Sequence, residues 1–157
     1  MSDRAQLDLK SYVRDIPDFP EPGILFRDIT PLLASPEAMK SATERLAAEY
    51  RDRSIDIIVA AEARGFIFAS ALAYALKAGT TMVRKPGKLP YSTFQETYSL
   101  EYGTDTIEIH QDAFQPGERI VVIDDVLATG GTLAATLNLI RKNFPSVEIL
   151  EVAFLIE

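Results

Sequence analysis

The chain has no cysteine, one histidine, few basic residues for its acids and no long apolar run. Without cysteine there are no disulfides, no zinc–thiolate sites and no cysteine nucleophile. His110 is the only histidine around which a Ser–His arrangement or a multi-histidine metal site would have to be built. Its setting, Thr106-Ile-Glu-Ile-His110, alternates like a strand and favours a structural or solvent-facing place. A net charge of −7 and a pI near 4.8 argue against a general nucleic-acid-binding surface. No apolar stretch approaches the ~20 residues of a membrane span. The first ten residues, MSDRAQLDLK, hold no apolar signal-peptide core, so the expected location is the cytoplasm, with no membrane partner.

What the chain does have is enough apolar material for one core. Its 157 residues are 47% hydrophobic, and a single domain over 1–157 is expected. Leu9, Tyr12, Val13 and Ile16 follow helical spacing and predict a helix over Ala5–Arg14. Asp15–Gly23, DIPDFPEPG, reads as an extended connector. Ser35-Pro36 is a helix start, with Ser as N-cap and Pro in the first turn. Ile55–Ala61 and Arg119–Ile123 are short continuous apolar runs, the pattern of strands buried on both faces. Thr80–Val83 and Val147–Ile156 read as further strands. Phe66–Leu76 is apolar nearly all round and predicts a buried helix, and Leu133, Leu137, Ile140 and Phe144 stripe a second one. Phe94–Leu100 and Thr106–His110 are β-prone segments separated by polar residues, which predicts a hairpin arm. The order predicts an α/β fold: a parallel sheet flanked by helices, with that arm added.

The most informative stretch is VVIDDVLATGGT, Val121–Thr132. Apolar residues run straight into two aspartates and then into a small, flexible, hydroxyl-bearing loop. In open α/β sheets ligands bind beyond the carboxyl ends of the strands, so Asp124 and Asp125 are expected at a binding edge just after a strand ending at Ile123. The glycines let Ala128-Thr129-Gly130-Gly131-Thr132 curl its N–H groups inward, and the following helix adds partial positive charge. Such a loop cradles phosphate. It is neither a Walker A loop nor a dinucleotide fingerprint, because neither Gly-Lys-Ser/Thr nor GxGxxG is present. Two acids before a phosphate cradle suit a sugar phosphate, the carboxylates accepting from ribose hydroxyls while the loop holds the 5′-phosphate. A plain tight turn is the alternative.

This stretch resembles the phosphoribosyl pyrophosphate signature of the type I phosphoribosyltransferases. PGILFRDITPLL (Pro22–Leu33), AAEARGF (Ala60–Phe66), VRKPGKLP (Val83–Pro90) and ETYSLEYGTD (Glu96–Asp105) are similar to the adenine phosphoribosyltransferases, in that family's order and over nearly the whole chain. The resemblance implies the type I phosphoribosyltransferase fold, with a small N-terminal hood and a flexible β-hairpin arm. It implies transfer of a 5-phosphoribosyl group from phosphoribosyl pyrophosphate to adenine, giving AMP and pyrophosphate, with Mg²⁺ held mainly by the substrate and no direct protein ligand. It further implies a homodimer in which Arg84 and its neighbours serve the interface.

Residue roles follow on that reading. Arg64, just past a buried strand, and Lys85 and Lys88 are cations suited to pyrophosphate; solvated surface charge is their plain alternative. Glu101 and Tyr102 of the arm are implied to close over the substrates and keep water from an oxocarbenium-like sugar, with Glu101 relaying a proton as N9 attacks. Phe26 and Arg27 are implied at the base, Phe26 stacking on the purine rather than capping the core. Relatives that use 6-oxopurines usually carry an acid where this chain has Ala128, which suits adenine. The chain departs from the family in Lys77–Val83, shorter and more polar than usual, and beyond Glu157, where relatives continue with a short tail that helps close the base pocket. A sensor of phosphoribosyl pyrophosphate built on the same fold would need an output such as a DNA-binding surface, and an enzyme for xanthine would not fit Phe26-Arg27-Asp28 with Ala128.

Overall fold

The structure is a computed structural model that describes residues 7–100, 103–127 and 129–156. The chain forms two compact units, residues 1–48 and 49–157. The first unit opens with a 3-10 turn, Leu9–Tyr12, capped by the Asp8 side chain accepting from Lys10 N–H. A strand β1 (Arg14–Pro17) then pairs antiparallel with β2 (Leu25–Asp28). The helix expected over Ala5–Arg14 is therefore a single turn, and the connector begins as a strand. Four residues of helical spacing are too few to hold a helix when Pro17 follows at once and the ladder to β2 takes the backbone hydrogen bonds. Asp28 ends β2 and turns the chain: its carboxylate accepts from Thr30 N–H (2.9 Å) and Thr30 Oγ1 (2.8 Å), and Arg14 Nε lies 3.1 Å away. These bonds hold its carboxyl below the ordinary range, the Thr30 backbone contributing most. Helices α1 (Thr30–Ala34) and α2 (Pro36–Ala48) complete the unit, and Ser35 Oγ accepts from Ala38 N–H as the cap pattern requires.

The second unit holds a four-stranded parallel sheet of β3 (Ile57–Ala61), β4 (Gly79–Val83), β7 (Arg119–Val126) and β8 (Glu148–Ile156), in the order β4-β3-β7-β8. Helix α3 (Gly65–Leu76) joins β3 to β4, and α4 (Gly131–Asn143) joins β7 to β8. Between lie β5 (Thr93–Ser99) and β6 (Thr104–His110), the expected hairpin. Its base is core rather than lid. Ile107 and Ile109 are buried with Val59, Val83, Ile120, Val122, Leu139 and Ile140, and Phe94 and Tyr98 pack against that cluster.

Helix α3 is not buried all round. Ile67 is 43% and Tyr74 90% exposed, seven residues apart and so on one helix face, and Met82 on the edge strand β4 is 47% exposed. No helix among the described residues is long and apolar enough to cross a membrane.

Candidate active site

Chain order dictates where a ligand can sit. From β3 the chain leaves through α3 toward β4, on one side; from the adjacent β7 it leaves through α4 toward β8, on the other. Connections departing in opposite directions open a crevice beyond the carboxyl ends of β3 and β7. Arg64 follows the first of these strands, and Asp124 and Asp125 lie on the second. The strand does not end at Ile123 as its apolar run implies. The ladder with β8 carries it to Val126, Asp124 pairing with Phe154 and Val126 with Ile156, whereas pairing with β3 stops at Ile123. The aspartates thus sit on rigid strand, and on its β3 side the ladder has already ended.

Adjacent strand residues face opposite ways, and the two carboxylates have different surroundings. Asp124 lines a cavity of about 90 Å³ with Val126, Leu127, Thr129, Gly130, Gly131, Thr132, Leu133 and Phe154. That is well below the roughly 300–1,000 Å³ that encloses a whole drug-sized ligand, so the cavity suits one end of a ligand. Asp125 is buried, 3% exposed, and its Oδ2 lies 2.6 Å from Arg64 Nε. The same oxygen accepts no aligned hydrogen bond, so this contact is an ion pair of charge rather than a directed bond. Asp124 Oδ1 accepts from Asp125 N–H at 2.9 Å. Burial pushes the Asp124 carboxyl up to about 6; the neighbouring Asp125 charge adds to this, while the Asp125 N–H and Arg64 oppose it.

Gly65 sets how closely α3 meets this edge. A Cβ there would lie 3.1 Å from Asp124 Oδ1, 3.2 Å from Ile123 O and 3.3 Å from the Ala60 Cβ, tighter than side chains normally tolerate. The cradle itself is built by Gly130, whose φ of +75° most side chains resist, capping α4 without a side-chain hydrogen bond. The helix start therefore offers its N–H groups to a ligand, and no acid in its first turn competes.

The cations are placed by β6. Lys85 pairs with Asp105, which holds that carboxyl below its usual range. Glu108 is buried and accepts from Gly87 N–H (3.1 Å) and Gln95 Nε2 (2.6 Å), clamping the Lys85–Lys88 turn. Strand alternation would turn Glu108 outward. Its burial arises because the Arg84 backbone pairs with it and the loop folds over it. The available signal was a lone carboxylate between Ile107 and Ile109. Lys88 is exposed, and Arg84 Nε pairs with Glu62 at 2.8 Å while its guanidinium lies over the Phe66 ring. His110 Nε2 accepts from Tyr91 N–H at 3.4 Å, and the two rings meet edge-on.

Tyr98 joins the arm to the cradle. Its hydroxyl lies 2.9 Å from Thr132 Oγ1 and 3.3 Å from Asp105 Oδ2, and its ring rests against Gly131. Sequence reasoning places Tyr98 in the polar arm with Glu101 and Tyr102 but gives it no role of its own. Glu101, Tyr102 and Ala128 lie outside the described residues. Phe26 and Arg27 lie on β2 in the first unit, Phe26 half-buried with an edge-on contact to Phe19, and Arg27 exposed and paired with Asp15.

The phosphoribosyl transferase domain family matches residues 30–156. The adenine phosphoribosyltransferase of Syntrophotalea carbinolica is 57% identical, the match covering 96% of this chain and 86% of that protein. The crystal structure of the adenine phosphoribosyltransferase from Thermoanaerobacter pseudethanolicus superposes with a TM-score of 0.88 at 47% identity, covering 93% of this chain and 84% of that one. The enzyme from Saccharomyces cerevisiae, solved with D-2,5-dideoxy-2,5-imino-altritol 1,6-bisphosphate and adenine, gives 0.88 at 38% identity, covering 95% and 86%. The chain belongs to the adenine phosphoribosyltransferase family of phosphoribosyl transferase domains.

Proposed function

We propose that this chain transfers a 5-phosphoribosyl group from phosphoribosyl pyrophosphate to adenine, releasing AMP and pyrophosphate. The observation that carries the reading is Asp124 beside an uncapped, acid-free α4 N-terminus in one small cavity. Named relatives of high identity supply the base. Thr129 to Thr132 hold the 5′-phosphate through N–H groups and hydroxyls. Asp124 and Asp125 accept from the ribose hydroxyls, Asp125 doing so while paired with Arg64. Arg64, Lys85 and Lys88 hold the pyrophosphate, and charge-assisted bonds of this kind contribute roughly 1.5–3 kcal/mol each.

The bond from C1 of the ribose to the pyrophosphate oxygen breaks as adenine N9 attacks C1; the electron pair leaves with pyrophosphate. Glu101 and Tyr102 close the arm over the sugar, and Glu101 takes the N9 proton directly or through a relay. Phe26 and Arg27 are assigned to the base on the family resemblance alone, and Ala128 leaves a 6-amino purine without an opposing acid. Among the described residues no group of three or more metal-ligating side chains converges. Mg²⁺ is carried mainly on ligand oxygens, as its preference for water and phosphate allows. When bound, Mg²⁺ neutralises charge on the leaving pyrophosphate.

The active form is a cytoplasmic homodimer. Ile67 and Tyr74 on one face of α3, and Met82 on β4, are exposed apolar side chains that a second copy would cover. The direct test is product analysis with adenine, phosphoribosyl pyrophosphate and Mg²⁺. One AMP and one pyrophosphate should appear for each adenine consumed. Pyrophosphate release with adenine untouched would refute the transfer.

A further inference from the structure

Tyr98 has a single proton and two acceptors for it. Thr132 Oγ1 lies 2.9 Å away and Asp105 Oδ2 3.3 Å away. Asp105 is already served: Lys85 pairs with its Oδ2 and Thr106 N–H donates to its Oδ1 at 2.8 Å. The contact to Thr132 is the shorter of the two, and on that geometry the Tyr98 proton goes to Thr132. When Tyr98 donates to Thr132, the threonine's own proton is free to point into the cradle. When Tyr98 donates to Asp105 instead, Thr132 must donate to Tyr98 and presents only lone pairs to an incoming anion.

We propose that Tyr98 and Asp105 are positioning residues of opposite sign: Tyr98 turns the Thr132 hydroxyl toward the 5′-phosphate, and Asp105 holds Lys85 back from pyrophosphate. This rests on the reading of the cradle and of Lys85 given above. Tyr98 acts through Thr132, and its ring stays against Gly131 whether or not the hydroxyl is there, at 3.7 Å from a Cβ position. Asp105 acts through Lys85, because an ammonium committed to a carboxylate must give it up to take a phosphate. The hairpin therefore serves both anion sites from its body, quite apart from any closure of its tip.

The test is calorimetry with AMP and, separately, with magnesium pyrophosphate, on the full chain. Tyr98→Phe should weaken AMP roughly five-fold, the value of one neutral hydrogen bond, and leave pyrophosphate within about two-fold. Thr132→Val should weaken AMP at least as much, and adding Tyr98→Phe to it should cost nothing further. Asp105→Asn should tighten pyrophosphate by roughly two- to five-fold, the worth of releasing a partly exposed ion pair, and leave AMP unchanged. Thr97→Val, on the outer face of the same strand with its hydroxyl paired to Thr106, is the control that should alter neither. Arm residues with a merely structural role would lower melting temperature and weaken both ligands together. Unchanged AMP affinity in Tyr98→Phe, or weaker pyrophosphate binding in Asp105→Asn, would overturn the assignment. A native chain that binds neither ligand would instead sink the site reading on which it stands.

Discussion

At the scale of single residues, Asp124 carries the sharpest consequence. Its carboxyl is pushed up to about 6 from an ordinary value of 3.8, first by burial. Between these values the folded protein binds a proton that the unfolded chain does not. Its contribution to stability is therefore full below about pH 4 and is lost as pH rises through about 6. Asp124→Asn removes the titration, so the variant should gain melting temperature relative to the native chain as pH goes from 4 to 7. Its AMP affinity, compared with native at each pH, should fall further behind over the same interval, because the ionised carboxylate is the stronger acceptor for a ribose hydroxyl. A constant difference in either measurement would show that Asp124 does not titrate there. The acids and glycines of this site were legible in the sequence because adjacent aspartates and a Gly-Gly pair are costly inside a strand-to-helix junction without a ligand. Glu108 and Tyr98 were not legible. Their roles depend on a loop and a helix start that reach them only through tertiary packing, Gly87 N–H in one case and Thr132 in the other.

At the scale of elements, the continuous apolar strands and striped helices could be read because burial on both faces or on one stripe leaves a direct periodic trace. The short first-unit hairpin could not, since β1 and β2 are four residues each and their pairing is set across a proline-rich turn. The end of β7 was misjudged because hydrophobicity stops at Ile123 while the hydrogen bonds to β8 continue to Val126. The junction of α3 with this strand is governed by Gly65. With three neighbours within 3.1–3.3 Å of a would-be Cβ, two of them backbone or a methyl at the sheet, Gly65→Ala should destabilise the protein by about 1–3 kcal/mol through overpacking. It should also weaken AMP on the folded fraction, because the closest of those neighbours is Asp124 Oδ1. Denaturant unfolding with parallel calorimetry measures both. A variant as stable as native with native AMP affinity would mean that the helix simply shifts aside.

At the scale of the whole molecule, the feature that locates function is the divergence of the connections from β3 and β7, which no single segment encodes. The resemblance to a known family supplied the reaction, and the topology brings Arg64, Asp124 and Asp125, distant in sequence, to one edge. The exposed Ile67, Tyr74 and Met82 should be covered in solution by a second copy. Sedimentation at micromolar concentration should give a species twice the 17.4 kDa chain mass, and Tyr74→Glu should shift it toward monomer; a native chain that sediments only as monomer would remove the interface. The central claim is that this site serves adenine, and competition among bases at fixed phosphoribosyl pyrophosphate and Mg²⁺ tests it most directly. The kcat/KM for adenine should far exceed that for hypoxanthine, guanine or uracil, and turnover of hypoxanthine equal to or better than adenine would contradict it.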